Sequence, residues 1–326
     1  MKPKTSRMAF ALLLLMLAGF AACQRTDTAT DQQQEEYVAV ATNIDLPYWQ
    51  EARRGFEDAA RELGVKARFM GTRVYNPTEQ AQVFTSAART QPAGILVAPA
   101  DPDVLKGPID LAVQQGLPVG CLDTDSPASA RLFFIGTSNY EAGRQGGELL
   151  ARALGGSGKV VLLTIPRQWN LEERVRGYQD ALKNYPKIQI VGVLNDAGDP
   201  GRASAVVTET LHKHADLRGI GCLDAAGGPG AGEAVKEAGK TPQVAIVAMD
   251  KDRPTLELVR DGMIWATLGQ KTYTMSYYGL KMLHDLHHNS VRMFPDWRLA
   301  QVNPLPSHVD TGIALITREN VLALLQ

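Results

Sequence analysis

The chain has 326 residues, of which 44% are hydrophobic and 21% are charged, and its formal net charge at pH 7 is −1. The charge is close to neutral and the sequence has no block of basic residues. This excludes the strong electrostatic attraction on which binding to a nucleic acid depends. Residues 37–326 are enough for two domains of ordinary size.

The first 23 residues have the pattern of an export signal. Basic residues precede an apolar run from Met8 to Ala22, which is too short to span a bilayer comfortably. The run ends in FAAC, which resembles the lipobox of bacterial lipoproteins except that Phe20 replaces the usual leucine. We predict a lipoprotein signal peptide over 1–23 with lipidation at Cys23; cleavage after Ala21 by the ordinary signal peptidase is the alternative.

Residues 24–36, QRTDTATDQQQEE, carry no apolar side chain larger than alanine. This composition is typical of a flexible tether between an anchor and a folded body. We therefore expect a lipid-anchored protein in the periplasm or at the outer face of the cell membrane.

Eleven apolar runs follow the tether. They span 37–42, 67–72, 94–99, 118–123, 131–137, 159–165, 188–194, 219–224, 243–250, 265–270 and 311–317. Their hydrophobicity is continuous rather than alternating, which predicts strands covered on both faces, as in parallel sheets. Cys121 and Cys222 lie inside two of these runs, so we predict buried thiols rather than a disulfide.

Helix signals separate the runs. Asn76-Pro77 and Asp101-Pro102 each have the pattern of an N-cap followed by a proline in the first turn. Repeated strand–helix units predict a doubly wound α/β architecture. Because eleven strands are too many for one open sheet of this kind, we expect two Rossmann-like lobes.

Polar residues follow many of the strands. In doubly wound sheets, ligands bind beyond the carboxyl ends of the strands, so these residues are the candidates for a site. They are Thr42, Asn43, Asp101, Asp123, Thr124, Asn170, Asp224, Asp250 and Gln270. For Asp101 alone, helix capping is the preferred interpretation. Carboxylates, amides and hydroxyls facing one crevice suit a neutral ligand with several hydroxyl groups.

Two aromatic residues, Tyr48 and Trp49, follow Pro47 at the turn between the first strand and the first helix. Flat rings at such a turn can stack on the C–H face of a sugar. The alternative is core packing, because Trp49 and Phe56 lie near one face of the helix. We expect at least one of the two rings to face the cleft.

At this point the sequence resembles a known family. Its motifs are VATNIDLPYWQEARRGFEDAARELG, PVGCLDTD, IGTSNYEAG, NLEERVRGYQDAL, DLRGIGCLDAA, VAIVAMD and ATLGQ, in that order. Together they resemble periplasmic sugar-binding proteins of the ribose/galactose-binding type, which are related to the effector core of lactose-repressor-like regulators. The resemblance covers essentially all of 37–326.

The resemblance implies a type I periplasmic-binding-protein fold with two lobes joined by three crossings. We expect the first lobe to hold 37–137 and 271–305 and the second 138–270 and 306–326, with crossings near Thr137, Gln270 and 303–308. It further implies a non-enzymatic, monomeric protein that closes around a sugar or polyol and delivers it to an inner-membrane ABC permease. A sensor lipoprotein that presents the sugar to a membrane receptor or kinase is the alternative.

The resemblance also implies which residues bind the ligand. Asp123, Asp224, Asp250 and Gln270 match positions that bind sugar in the family. Arg174 lies in the motif that resembles the family's arginine-glycine-aromatic helix, and we expect it to donate to the ligand. Trp49 is the better candidate for stacking, because the family's second aromatic commonly stacks on sugar. Thr124 and Glu172 stand where ribose binders carry arginines. Loss of two guanidinium groups affects which sugar binds more than it affects the class of ligand, so ribose itself is not expected. Glu172 favours a ligand with an additional donor such as an amine.

Other functions find little support in the motifs. GGSGKV precedes a strand and lacks the phosphate-loop spacing, and AAGGPGAGEA does not fit a dinucleotide fingerprint. His284, His287 and His288 place two histidines four residues apart on a helix, but a solvated helix end is the preferred interpretation. We therefore predict neither a metal nor a cofactor, and the role of the histidines stays open.

Overall fold

The structure is a computed structural model that describes residues 35–325. The predicted signal peptide, Cys23 and the predicted tether up to residue 34 lie outside the described residues. Within the described range, no helix is both long enough and apolar enough to cross a membrane.

The chain begins with strands and helices in strict alternation up to the fourth strand. They are β1 (Glu36–Ala41), α1 (Pro47–Leu63), β2 (Lys66–Gly71), α2 (Pro77–Arg89), β3 (Gly94–Val97), α3 (Pro102–Gln114), β4 (Val119–Leu122) and β5 (Phe133–Gly136). The predicted caps form: Asn76 Oδ1 accepts from the Glu79 amide at 3.1 Å, and Asp101 Oδ1 accepts from the Asp103 amide at 2.9 Å. Capping is therefore the role of Asp101.

A second set of alternating elements follows. They are α4 (Asn139–Ala153), β6 (Ser157–Thr164), α5 (Trp169–Leu182), β7 (Lys187–Asn195), α6 (Pro200–Lys213), β8 (Leu217–Cys222), α7 (Gly227–Glu237), β9 (Ala245–Met249), α8 (Arg253–Arg260) and β10 (Ala266–Gly269). The last elements are α9 (Thr272–His287), α10 (Trp297–Ala300), β11 (His308–Asp310), β12 (Ala314–Ile316) and a 3₁₀ turn at Val321–Leu324.

The strands form two six-stranded sheets, one in each lobe. The first has the order β11-β5-β4-β3-β1-β2 and is parallel throughout. The second has the order β12-β10-β9-β8-β6-β7 and is parallel except for β12. The predicted fold class, two doubly wound lobes, is therefore confirmed.

Each sheet is covered on both faces, which explains the continuous apolar runs. In β1, Tyr37 and Ala39 pack in one core with residues of α1 and α9, whereas Val38 and Val40 pack in another with residues of α2 and α3. The second lobe repeats this division between odd and even residues of β6. Cys121 and Cys222 are buried free thiols in these cores, as predicted.

Two predicted boundaries differ from the structure. The tether was expected to reach residue 36, but Glu36 already pairs with Lys66 in β1 and β2. The sequence predicts the third crossing near 303–308 and the return to the second lobe at residue 306, but His308–Asp310 pairs with Phe134–Gly136 in the first sheet, so the chain crosses after Asp310. The His308 ring lies 4.8 Å from the ring of Phe134, a contact between residues far apart in sequence.

Candidate functional site

A cavity lies between the lobes, where the carboxyl ends of both sets of strands meet. Its volume is about 210 Å³, below the roughly 300–1,000 Å³ typical of pockets for drug-sized ligands. The predicted site residues that line it are Thr42, Asn43, Tyr48, Trp49, Asp123 and Thr124 from the first lobe and Asn170, Arg174, Asp224, Asp250 and Gln270 from the second. The cavity therefore suits one small ligand contacted by both lobes.

Asp123 and Asp250 occupy equivalent places in the two lobes. Each of the two residues directly follows a strand, and its own backbone lies in the left-handed region, at φ 63° for Asp123 and 69° for Asp250. The Asp123 amide donates to Ile135 O at 3.0 Å, and the Asp250 amide donates to Leu268 O at 2.9 Å. A non-glycine residue in this region costs on the order of 1 kcal/mol or more, and such residues cluster at binding sites. Hydrogen bonds to the neighbouring strand thus hold both carboxyl groups at the cleft.

The carboxyl group of Asp250 is buried and contacts the amide of Gln270. Gln270 Nε2 donates to Asp250 Oδ1 at 3.0 Å, while Gln270 Oε1 finds no hydrogen-bond partner among the described residues. Burial raises the pKa of Asp250 to about 7, although the charge of Arg174 opposes the rise. Burial likewise raises the pKa of Asp123, again against the charge of Arg174. One cation thus lies near acidic groups from both lobes.

Arg174 is almost fully buried, and the second lobe fixes its orientation. Its Nε donates to Asn139 Oδ1 at 2.9 Å, and its Nη1 donates to Leu223 O at 2.7 Å. Its Nη2 has no hydrogen-bond partner among the described residues, although Arg174 lines the cavity. A buried donor left without a partner costs about 1–3 kcal/mol. A ligand oxygen that accepted from Nη2 would remove this cost.

Asp224 combines two roles. Its Oδ1 accepts from the amides of Ala226 and Gly227, each at 2.9 Å, at the beginning of α7. Burial and the neighbouring Asp196 carboxyl group raise the pKa of Asp224 to about 7. The residue therefore helps to begin α7 and also places a carboxyl group beside the cavity.

Both predicted aromatics reach the cavity. The Tyr48 hydroxyl donates to Asp123 Oδ1, and the Trp49 ring meets the Tyr48 ring edge-on, with centroids 5.2 Å apart. Trp49 also belongs to the core of the first lobe and is 6% exposed. Core packing and cleft lining are thus not alternatives at this turn, because packing holds the ring that borders the cavity.

The smaller polar residues complete the wall. Thr42 Oγ1 lies 2.9 Å from Thr72 Oγ1, and Thr124 Oγ1 donates to Asp123 Oδ2 at 3.3 Å. Asn43 and Asn170 also border the cavity. These contacts fix the loops that follow β1 and β4.

The structure corrects the expectation for Glu172. This side chain is exposed and is not among the cavity residues; its Oε1 accepts from the Arg167 amide at 3.1 Å. Residues of a helix advance by about 100° each, so Glu172 points away from the face shared by Asn170 and Arg174. The argument from Glu172 for an amine-bearing ligand therefore fails.

Sequence reasoning missed several cavity residues. Tyr75 lies four residues beyond β2 and donates from its hydroxyl to Ala100 O at 2.7 Å, and Asp252 lies two residues beyond Asp250. Leu46 and Gln168, which precede α1 and α5, also contribute. A search that continued along each strand-end loop, instead of stopping at its first residues, would have included them.

A contact across the cleft joins the lobes beside the cavity. Lys251 Nζ, in the loop after β9, donates to Glu51 Oε2 on α1. Both side chains are about three-quarters buried, at 27% and 24% exposed. This partly buried ion pair contributes to holding the lobes together in the conformation described.

Comparison with known proteins places this architecture in a family. A model of the periplasmic binding protein domain matches residues 37–289. The D-allose-binding periplasmic protein of Escherichia coli is 27% identical over 264 residues, which are 77% of this chain and 84% of that protein.

Solved structures agree with this match. A sugar ABC transporter (sugar-binding protein) from Bacillus halodurans superposes with a TM-score of 0.82 at 36% identity, covering 89% of this chain and 99% of that one. An arabinose-binding protein from Geobacillus stearothermophilus reaches 0.80 at 36% identity with the same coverage. The family consists of solute-binding proteins rather than enzymes, in agreement with the sequence-based prediction. The chain belongs to the periplasmic binding protein domain family.

Proposed function

We propose that this protein is the sugar-binding component of an ABC transporter and that it captures one neutral monosaccharide between its lobes. The observation that carries the proposal is the cavity itself. It brings carboxyl groups from both lobes together with a fixed guanidinium donor, Arg174 Nη2, and an amide acceptor, Gln270 Oε1, that have no partner among the described residues. Named relatives in the same family bind allose and arabinose.

The arrangement matches the chemistry of a sugar. Each hydroxyl can donate to a carboxylate while it accepts from an N–H group. In our proposal, Asp123 and Asp250 accept from ligand hydroxyls, Arg174 Nη2 donates to a ligand oxygen, and Gln270 Oε1 accepts. The rings of Tyr48 and Trp49 border the same space and offer an apolar surface to the C–H groups of the ligand.

A calorimetric screen of pentoses, hexoses, polyols and amino sugars tests this function. We expect at least one neutral monosaccharide to bind with one site per chain. Glu172→Gln is a matched control: because Glu172 lies outside the cavity, its affinity for that sugar should equal that of the parent protein. Absence of binding by every sugar and polyol would refute the proposal, and a preference for amino sugars lost in Glu172→Gln would reinstate the sequence-based interpretation.

We further propose that the ligand acts by closing the lobes. A ligand that contacts Asp123 in the first lobe and Asp250 and Arg174 in the second favours the closed state by its difference in affinity between the two states. An ABC permease would then recognise the closed surface. No chemical step is involved.

Lobe closure predicts a change in solution shape. Small-angle X-ray scattering should show a smaller radius of gyration when the sugar identified by calorimetry is added. A sugar that does not bind is the control and should leave the radius unchanged. Tight binding without compaction would contradict the hinge.

We also propose that the protein is a lipid-anchored monomer in the periplasm or at the outer face of the cell membrane, with its mature N-terminus at Cys23. The lipobox-like FAAC supports this assignment. In cell fractionation, Cys23→Ala should move the protein from the membrane to the soluble fraction. Mass spectrometry that found an unmodified N-terminus at Ala22 or Cys23 in the parent protein would contradict lipidation.

A further inference from the structure

The end of α9 and the beginning of β1 carry a cluster of histidines and a carboxylate that the proposed sugar site does not use. His288 Nε2 lies 2.9 Å from Glu35 Oε2, and His287 Nε2 lies 3.8 Å from Glu35 Oε1. One ligand atom each from Glu35, His284 and His288 lies within 4.8 Å of the other two. The rings of His284 and His288 have centroids 4.3 Å apart. Three potential donors thus converge on one point.

The backbone around the cluster is held in place from both sides. His284 and His288 are four residues apart, so they lie on one face of the helix. Leu283, just before His284, and Leu286, between the two histidines, are fully buried in the core of the first lobe. Glu35 is bound at its carbonyl by the Lys66 amide at 2.7 Å and at its carboxylate by the Tyr37 hydroxyl at 3.3 Å. Little rearrangement is needed to bring the three ligand atoms to coordination distance.

The donor set selects a class of ion. Two imidazole nitrogens and one carboxylate oxygen suit Zn²⁺ and related divalent transition-metal ions, whereas Ca²⁺ and Mg²⁺ prefer oxygen ligands. Three protein ligands leave a fourth position for water or for His287. We propose that Glu35, His284 and His288 form a Zn²⁺-class metal site on the first lobe.

The proposed metal site is separate from the sugar cavity. It lies at the beginning of β1, whereas the cavity lies beyond the end of that strand. The six residues of β1, at about 3.3 Å each, place the two sites on the order of 20 Å apart. A bound ion would join the first residues of the folded body to the end of α9, so it should stabilise the first lobe without entering the sugar site.

Equilibrium dialysis of the full chain against Zn²⁺, followed by metal analysis, tests the proposal. The parent protein should bind one Zn²⁺ per chain. Glu35→Gln, His284→Gln and His288→Gln should each weaken that affinity by about tenfold or more, since each removes one of three ligands. His212→Gln is the matched control, because His212 is exposed on α6 in the other lobe, and it should bind as the parent does.

Two further readouts keep the test decisive. The three variants should bind the sugar identified by calorimetry as the parent does. If no sugar binds the parent, the variants should instead have the parent's circular-dichroism spectrum. Either result separates loss of the metal site from misfolding and from failure of the proposed function. Co²⁺ in place of Zn²⁺ should give a ligand-field spectrum without a thiolate charge-transfer band, which excludes Cys23 as the ligand. No saturable Zn²⁺ binding, equal binding by His288→Gln and the parent, or a thiolate band would overturn the proposal.

Discussion

Replacing Arg174 with methionine should reduce sugar affinity on the order of a hundredfold. The substitution removes the donor Nη2, and a charge-assisted hydrogen bond contributes roughly 1.5–3 kcal/mol, or about tenfold to a hundredfold in affinity. It also removes the cation that opposes the raised pKa of Asp123 and Asp250. Asp250, whose pKa is about 7, would then be less ionised near pH 7 and less ready to accept from ligand hydroxyls.

The matched control for this prediction is Arg176→Met. Arg176 lies on the same helix but is largely exposed, where it pairs with Glu173 and lies over the ring of Tyr140. Calorimetry should find parental affinity in this variant. Arg174→Lys should not restore binding, because one ammonium group cannot hold Asn139 and Leu223 and also reach the ligand as the guanidinium fork does. Equal affinities in Arg174→Met and the parent would contradict the assignment of Arg174.

Asp250→Asn should reduce sugar affinity by about tenfold to a hundredfold. The carboxylate accepts from ligand hydroxyls in our proposal, and loss of one such charged bond costs roughly 1.5–3 kcal/mol. The pH dependence of sugar affinity adds a second readout. Because the pKa of Asp250 is about 7 in the cleft and ligand donors favour the ionised form, the parent's affinity should fall as the pH decreases through 7. Calorimetry between pH 6 and pH 8 should show this fall in the parent and a smaller one in the variant.

Asp250→Asn should lower sugar affinity, but it should not lower the stability of the protein without sugar. A carboxyl group whose pKa rises on folding disfavours the folded state once the pH exceeds the unfolded pKa, and the penalty is complete above the folded pKa. For Asp250 this window runs from the ordinary value of 3.8 to about 7. At pH 8, thermal unfolding of empty Asp250→Asn should therefore occur at the parent's temperature or higher. A lower unfolding temperature would mean that the carboxylate serves the fold rather than the ligand.

The architecture could be predicted because its signals are local. Continuous apolar runs such as 37–42 are necessary in strands buried on both faces, and Asn76-Pro77 and Asp101-Pro102 fix where helices begin. The short β11 gave no such signal. Its three residues are paired through backbone hydrogen bonds and a ring contact with Phe134, which is distant in sequence.

The cavity residues divide in the same way. Asp123, Asp250 and Gln270 could be predicted because they directly follow strands whose carboxyl ends meet at one edge. Tyr75 was missed because its place depends on the path of a loop, and this path is fixed by its hydroxyl bond to Ala100. The direction of the Glu172 side chain could not be predicted from the motif, because the rotation of α5 decides which side chains face the cleft.

A crystal structure with the sugar identified by calorimetry tests most directly whether one ligand is shared by both lobes. We predict a single monosaccharide in the cavity, with hydroxyl oxygens about 2.5–3.0 Å from the carboxylates of Asp123 and Asp250, a ligand oxygen about 2.7–3.2 Å from Arg174 Nη2, and a C–H face against Tyr48 or Trp49. A sugar held by one lobe alone, or bound outside this cavity, would contradict the account.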